Sequence, residues 1–495
     1  MAVTLASRRE ITLDLFERVA WQGEPVRIAS SARERADAAR AAFLRLLEHS
    51  GVTVYGVTSG YGDRAAIRLS LEERQRQAVA AAYRAASFGE PLPGRVARGI
   101  VLARLANFLD GHAAVSGRLL AAVAELLEGG PLPSVPLQGN GGSGEILALS
   151  HLFGPLIESS DPGEKEGLAL INGSPCAAAL VADAALAARG RLRLAYEVFA
   201  LSVEAFRAPL EAYDPALEEL WGDEHEARAL RRLRSLLAGR ASGRRAYQAP
   251  VGYRILPRVL GQAERTLEAA EHAATISLRS VSDNPVYLPP SPGFPDGRVL
   301  STGGYHNAAA PAALHGLAVC WADLCQLAER HVERLVFTTT TTTTTASSGT
   351  ASDGSELLRL LMMVAVGYSE EARGAAQPVV LPRGGPGQND VASPAFLAWS
   401  RERAAAGCLE AVLALLAAAA CHLLPTAGAG GDLTPRLAQL AVETRERFPP
   451  LVERRPFGVD AARLTDYFRA LVFAQAADGS GRRQRREPAP TQAGD

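Results

Sequence analysis

The residues best suited to chemistry lie in one short stretch, Gln138-Gly139-Asn140-Gly141-Gly142-Ser143-Gly144-Glu145, which runs into an apolar helical pattern from Ile146 to Phe153. Four of its eight residues are glycine, so the backbone can take turns closed to other residues. One hydroxyl, Ser143, sits between two glycines. Such a loop before a helix has two uses. Its N–H groups can cradle an anion at the helix N-terminus, or its backbone can itself be the site of chemistry. The surrounding elements decide between them.

The chain has 495 residues, 47% of them hydrophobic, and a net charge of −1. That is ample for a large core. Near-neutral charge argues against nucleic acid or an acidic membrane surface as the main partner. Five cysteines (Cys176, Cys320, Cys325, Cys408 and Cys421) show no metal-ligand spacing, so no metal is expected, and their odd number fits a reduced, cytoplasmic protein. The N-terminus has no signal-peptide pattern. No apolar run is read as membrane-spanning; Ala411–Leu424 comes nearest and, being Ala-rich and followed by Pro425, reads as a buried helix.

Ala, Leu, Arg and Glu dominate, and all are strong helix formers. Helical spacing of apolar residues predicts helices over Ser31–Glu48, Leu71–Ala86, Arg95–Leu127, Glu166–Arg191, Tyr196–Tyr213, Pro257–Arg279, Ala309–Val336, Glu356–Arg373, Pro394–Leu424 and Leu433–Arg447. The fold class expected is mainly α, a bundle of long antiparallel helices with a smaller N-terminal loop and α+β region. Strand-like pieces are few: Thr12–Leu15, Val52–Tyr55, Val286–Leu288 and Arg298–Ser301. The eight threonines Thr338–Thr345 read as a mobile loop, because β-branched residues disfavour helix. Three regions are expected: 1–200, with a mobile Tyr loop and the Gly-Ser-Gly loop; 201–478, the long-helix bundle; and 479–495, a polar, disordered tail.

From Tyr55 onward the chain resembles the histidine and aromatic amino acid ammonia-lyases. Tyr55-Gly-Val-Thr-Ser-Gly-Tyr-Gly62 is similar to that family's Tyr-Gly-Val-Asn-Thr-Gly-Phe-Gly. In the family's order there follow Gly89-Glu-Pro-Leu92, Leu105–Gly117 more loosely, Leu132–Gly139, Lys165–Gly173, Val281-Ser-Asp-Asn-Pro285, Ser301-Thr-Gly-Gly304 and Gln388–Ser393. Each string alone is weak; their order is specific. The resemblance implies a homotetramer whose active sites draw on several subunits. It also implies an electrophile, methylidene-imidazolone (MIO), formed when an Ala-Ser-Gly tripeptide cyclises and loses water. Elimination of ammonia needs such a group, because no side chain is electrophilic enough to capture the amine. In register, the tripeptide is Gly142-Ser143-Gly144.

The resemblance assigns Tyr55 as the base for the β-proton, Arg254 to the substrate α-carboxylate, and Asn172, Gln248, Asn284, Gln388 and Asn389 to hydrogen bonds around it. Several positions depart from the family. Gly142 replaces alanine and Glu145 replaces aspartate. In Gln248-Ala-Pro-Val-Gly-Tyr-Arg254 the active-site tyrosine becomes Val251 and a serine becomes Gly252; Tyr253, two places on, need not point the same way. The phenylalanine that backs the prosthetic group is read as His306, a candidate general acid or base. The position that reads the substrate ring falls on Arg84. An arginine fixed in a pocket favours an anion, whereas on a helix surface it is ordinary. The functional expectation is a carbon–nitrogen lyase or aminomutase acting on an amino acid, with an anionic side chain if Arg84 faces the pocket. The alternative is an enzyme of the same fold that forms no MIO and carries out another elimination, dehydration or cyclisation.

Overall fold

The structure is a computed structural model, and it describes residues 2–49, 51–237, 243–344, 353–424, 433–451 and 455–474. Five long helices form the centre: Pro175–Phe206, Leu256–Arg279, Ala309–Thr344, Asp353–Ala375 and Ala395–Leu423. They bury one continuous core that also takes in the N-terminal helices. The mainly α bundle follows from the apolar periodicity. Glu166–Phe206 and Ala395–Leu423 are long and apolar enough to cross a membrane, which corrects the reading that no such run exists. Both are packed inside the bundle, which is why their apolar character is continuous rather than one-sided.

Local chemistry sets where the predicted helices break. The Arg95–Leu127 pattern divides into Gly94–Leu109 and Gly117–Glu125. Gly111 turns the chain at φ +80°, and the Ser116 hydroxyl caps the second helix by accepting from the Leu119 N–H at 3.2 Å. The pattern from Glu166 breaks at Asn172 and Gly173, then runs unbroken from Pro175 to Phe206. Thr12–Leu15 is not a strand: Thr12 caps a short helix, Leu13–Phe16. Val52–Tyr55 is loop. Val286–Leu288 pairs antiparallel with Arg298–Leu300, as expected, and Val3–Leu5 pairs parallel with Val26–Ile28.

The threonine run behaves differently from its propensity. Thr338–Thr344 extends the helix that begins at Ala309; Thr345 lies outside the described residues, as does the expected tail at 479–495. The Thr338 hydroxyl donates to the Arg334 carbonyl at 2.9 Å, one turn back. A packed helix already formed lets residues of poor propensity continue it.

Candidate active site

The glycine-rich loop ends at the N-terminus of Ile146–Ser160. Gly142 has φ +113° and Gly144 φ +73°, a region where only glycine is unstrained. No atom lies within 4 Å of a Cβ built at Gly142, so backbone conformation rather than lack of space accounts for glycine there. The loop is strapped from the far end of the sequence. The Ser143 hydroxyl donates to the Val391 carbonyl at 2.8 Å, and the Ser393 N–H donates to the Gly142 carbonyl at 3.1 Å. The Gly144 N–H has no hydrogen-bond partner among the described residues.

Glu145 does not cap its own helix. Its buried carboxylate accepts from the Cys176 and Ala177 N–H groups, at 2.5 and 2.7 Å, at the start of Pro175–Phe206. Burial pushes its pKa up to about 7, against the pull of those two N–H groups and of Arg104. The longer reach of glutamate is therefore used to join the loop to the central helix.

Asn172 follows the short helix Glu166–Ile171. Its amide donates to the Asn284 carbonyl, and its side-chain oxygen accepts from the Gly173 N–H at 2.8 Å. A Cβ at Gly173 would sit 2.8 Å from the Ser282 hydroxyl, so glycine is required for this approach. The Asn284 side-chain oxygen accepts from the Thr302 N–H at 2.8 Å. Beneath them lies a fully buried ion pair, Lys165 with Asp283. Arg104, also buried, donates to the Asn172 and Ala169 carbonyls. Such a pair costs desolvation, and here it fixes the two asparagines.

These pieces meet in a cavity of about 120 Å³ lined by Tyr55, Ser143, Ile146, Asn172, Asn284, Ser301, Thr302, Tyr305, Gln388 and Asn389. The Tyr55 hydroxyl accepts from the Gly62 N–H at 3.0 Å. Its loop is stapled by Gln77, whose amide donates to the Gly56 and Ser59 carbonyls. Six of the residues singled out in the sequence are thus brought together: Tyr55, Ser143, Asn172, Asn284, Gln388 and Asn389.

Others are not. His306 does not line the cavity; Tyr305 does, and its ring comes within 3.8 Å of a Cβ built at Gly144. Ser301 and Thr302 also went unassigned, although the Ser301-Thr-Gly-Gly304 string pointed at them. Arg84 is half-buried and stacks on the Tyr61 ring at 4.2 Å, and its buried Nε has no hydrogen-bond partner among the described residues. It flanks the Tyr55 loop without lining the cavity.

Gln248 and Arg254 line a separate cavity of about 640 Å³, with Phe206, Arg245, Val251 and Arg334 among its walls. With the Gln248 amide turned as its neighbours require, its oxygen accepts from both Arg254 terminal nitrogens, at 3.2 and 2.9 Å. The Arg254 Nε donates to the Ala249 carbonyl at 2.9 Å. The two cavities share no lining residue. Tyr253 cannot stand in for the tyrosine absent at Val251. It is buried and stacked between Phe206 and His331, at 4.6 and 3.9 Å, while Val251 is exposed.

Comparison with known proteins bears on the family and the fold. The family model for aromatic amino acid lyases matches residues 11–161 and 157–446. A histidine ammonia-lyase of Geobacillus thermodenitrificans is 31% identical over 358 residues, which span 66% of this chain and 69% of that one. Among solved structures, the ergothioneine-degrading ergothionase of Treponema denticola superposes with a TM-score of 0.83 at 18% identity, covering 96% of this chain and 100% of that one. A tyrosine aminomutase of Streptomyces globisporus gives 0.82 at 23% identity, covering 98% and 100%. These two likenesses establish the fold; the family model and the sequence match show that the chain belongs to the aromatic amino acid lyase family and is an ammonia-lyase-like enzyme.

Proposed function

We propose that the enzyme breaks, or breaks and re-forms, the carbon–nitrogen bond of an amino acid with an anionic side chain, using an MIO group made from Gly142-Ser143-Gly144. The observation that carries this reading is the convergence of Tyr55, Ser143, Asn172, Gln388 and Asn389 on one cavity. The tripeptide fits the group. Both glycines hold φ values that permit a tight turn, and the Gly144 nitrogen is uncommitted to any described residue. When formed, the group supplies an electrophile for the substrate amine. Tyr55 takes the β-proton, and the asparagine pair orients the substrate.

Arg254 supplies the counter-charge for the α-carboxylate, held by Gln248. Because its cavity is distinct from that of Ser143, a second copy of the chain completes each site, in keeping with a homotetramer. Arg84 flanks the Tyr55 loop outside the cavity lining, so it selects substrates whose anionic side chain extends past the cavity to reach it. Its guanidinium is pinned on Tyr61, in the same loop as Tyr55, and presents charge rather than an apolar wall.

The test is incubation with a panel of α-amino acids, scoring free ammonia with the unsaturated acid, or the β-amino isomer. Turnover is expected for members carrying a side-chain carboxylate or phosphate, and none for phenylalanine or histidine. Arg84→Ala should raise KM for the anionic substrate about tenfold, from loss of a charge-assisted bond of roughly 1.5–3 kcal/mol. Unchanged kinetics would remove Arg84 from the site.

A further inference from the structure

The strap over the glycine-rich loop has a chemical consequence of its own. Residues 388–393 are held by an antiparallel bridge between Arg383 and Val391, by the Gly384 N–H to the Asp390 carbonyl at 2.8 Å and by the Ala392 N–H to the Pro382 carbonyl at 3.1 Å. From this rigid piece two groups reach the tripeptide. The Val391 carbonyl accepts a hydrogen bond from the Ser143 hydroxyl, and the Ser393 N–H donates to the Gly142 carbonyl oxygen at 3.1 Å.

We propose that the Ser393 N–H is the activating donor for ring closure, so that maturation of the enzyme waits on docking of the 388–393 strap. The inference rests on the reading that Gly142-Ser143-Gly144 cyclises. In the step, the Gly144 nitrogen bonds to the Gly142 carbonyl carbon. Negative charge builds on the Gly142 oxygen, where the Ser393 N–H already sits, as a preformed oxyanion donor. That oxygen leaves as water with the Gly144 and Ser143 amide protons. A second water is made from the Ser143 hydroxyl and its Cα proton. Only dehydrations occur, so no oxidant or reductant is needed. The nucleophile is the one amide of the tripeptide that must be free, and the Gly144 N–H is uncommitted. The electrophilic carbonyl is the one that must be polarised, and the Gly142 carbonyl is.

A consequence for folding follows. The strap is separated from the loop by about half the chain, so the tripeptide gains its donor only once residues 388–393 have packed. An incomplete chain lacks the donor, which keeps the electrophile from forming before the cavity that shelters it.

The experiment follows the loss of two waters by intact mass during cell-free synthesis of the full chain, with near-ultraviolet absorbance alongside. Ser393→Pro removes the N–H, but it also constrains Ala392. The decisive variant therefore replaces residue 393 by the α-hydroxy acid counterpart of serine, so that an ester oxygen takes the place of the N–H. Ring closure is expected to slow about a hundredfold, the effect of deleting one oxyanion donor. An ester at Ala392 instead breaks a bond that holds the strap to Pro382, and it should leave maturation at least about tenfold faster than the 393 ester. Wild-type maturation in the 393 ester, or equal slowing in both, would overturn the inference while the two-water loss of the native chain stood. Absence of that loss in the native chain would overturn the reading on which it rests.

Discussion

Ser143→Ala is expected to abolish turnover, by at least roughly 10³-fold, while the purified chain keeps its helical content and melting temperature. The side chain is half-buried, and its one hydrogen bond goes to the Val391 carbonyl at 2.8 Å. Removing it leaves a carbonyl that the strap does not depend on, since the strap is held by its own bonds to Pro382 and Gly384. The cost in stability is about that of one hydrogen bond, about 1 kcal/mol. The cost in chemistry is total on this reading, because the hydroxyl carbon is the source of the electrophilic methylene. Activity comparable to the native chain would show that the site works without ring closure and would favour the MIO-free alternative.

Tyr55→Phe should lower kcat by about 10²–10⁴-fold, the usual contribution of a positioned acid or base, with KM changed by less than about threefold. The ring lines the cavity beside Ser143 and Asn172, and the hydroxyl accepts from the Gly62 N–H at 3.0 Å. Phenylalanine keeps the ring and the packing of the loop, which Gln77 fixes from the other side. Steady-state kinetics separate the cases: a fall confined to kcat fits proton transfer, whereas a rise confined to KM would place Tyr55 among the binding groups.

Much of this was legible in the sequence because it rests on periodicity and order. Helical spacing located the bundle, and ordered motifs located the cavity, since Tyr55, Ser143, Asn172 and Gln388 each sit in a string with its own geometric demand. Gly173 illustrates that demand: a Cβ there would collide with Ser282, 173 and 282 being distant in sequence. What escaped depends on three-dimensional context. The threonines at 338–344 continue a helix whose packing is settled earlier along its length. Tyr253 lies two places from Val251 on one helical turn, and that shift carries it into the core. Tyr305 and His306 are adjacent, and which of the two rings faces the cavity is set by the fold, not by their order in the motif. The separation of Arg254 from Ser143 within one chain was equally invisible, since order along a sequence does not fix distance in space.

Glu145 and Gly142 are the departures that the structure makes sense of. The glutamate reaches across to the start of Pro175–Phe206, and the glycine holds a φ of +113° that alanine would strain to adopt. Both fit a loop whose Gly142 carbonyl accepts from the Ser393 N–H and whose Gly144 N–H has no partner among the described residues.

The most direct measurement is the mass of the intact native protein, followed by mapping of the peptide that contains residues 142–144. A deficit of two waters confined to that peptide, with near-ultraviolet absorbance that a thiol or borohydride removes, is the expected result. An unmodified mass, with Ser143 recovered as serine, would contradict the account.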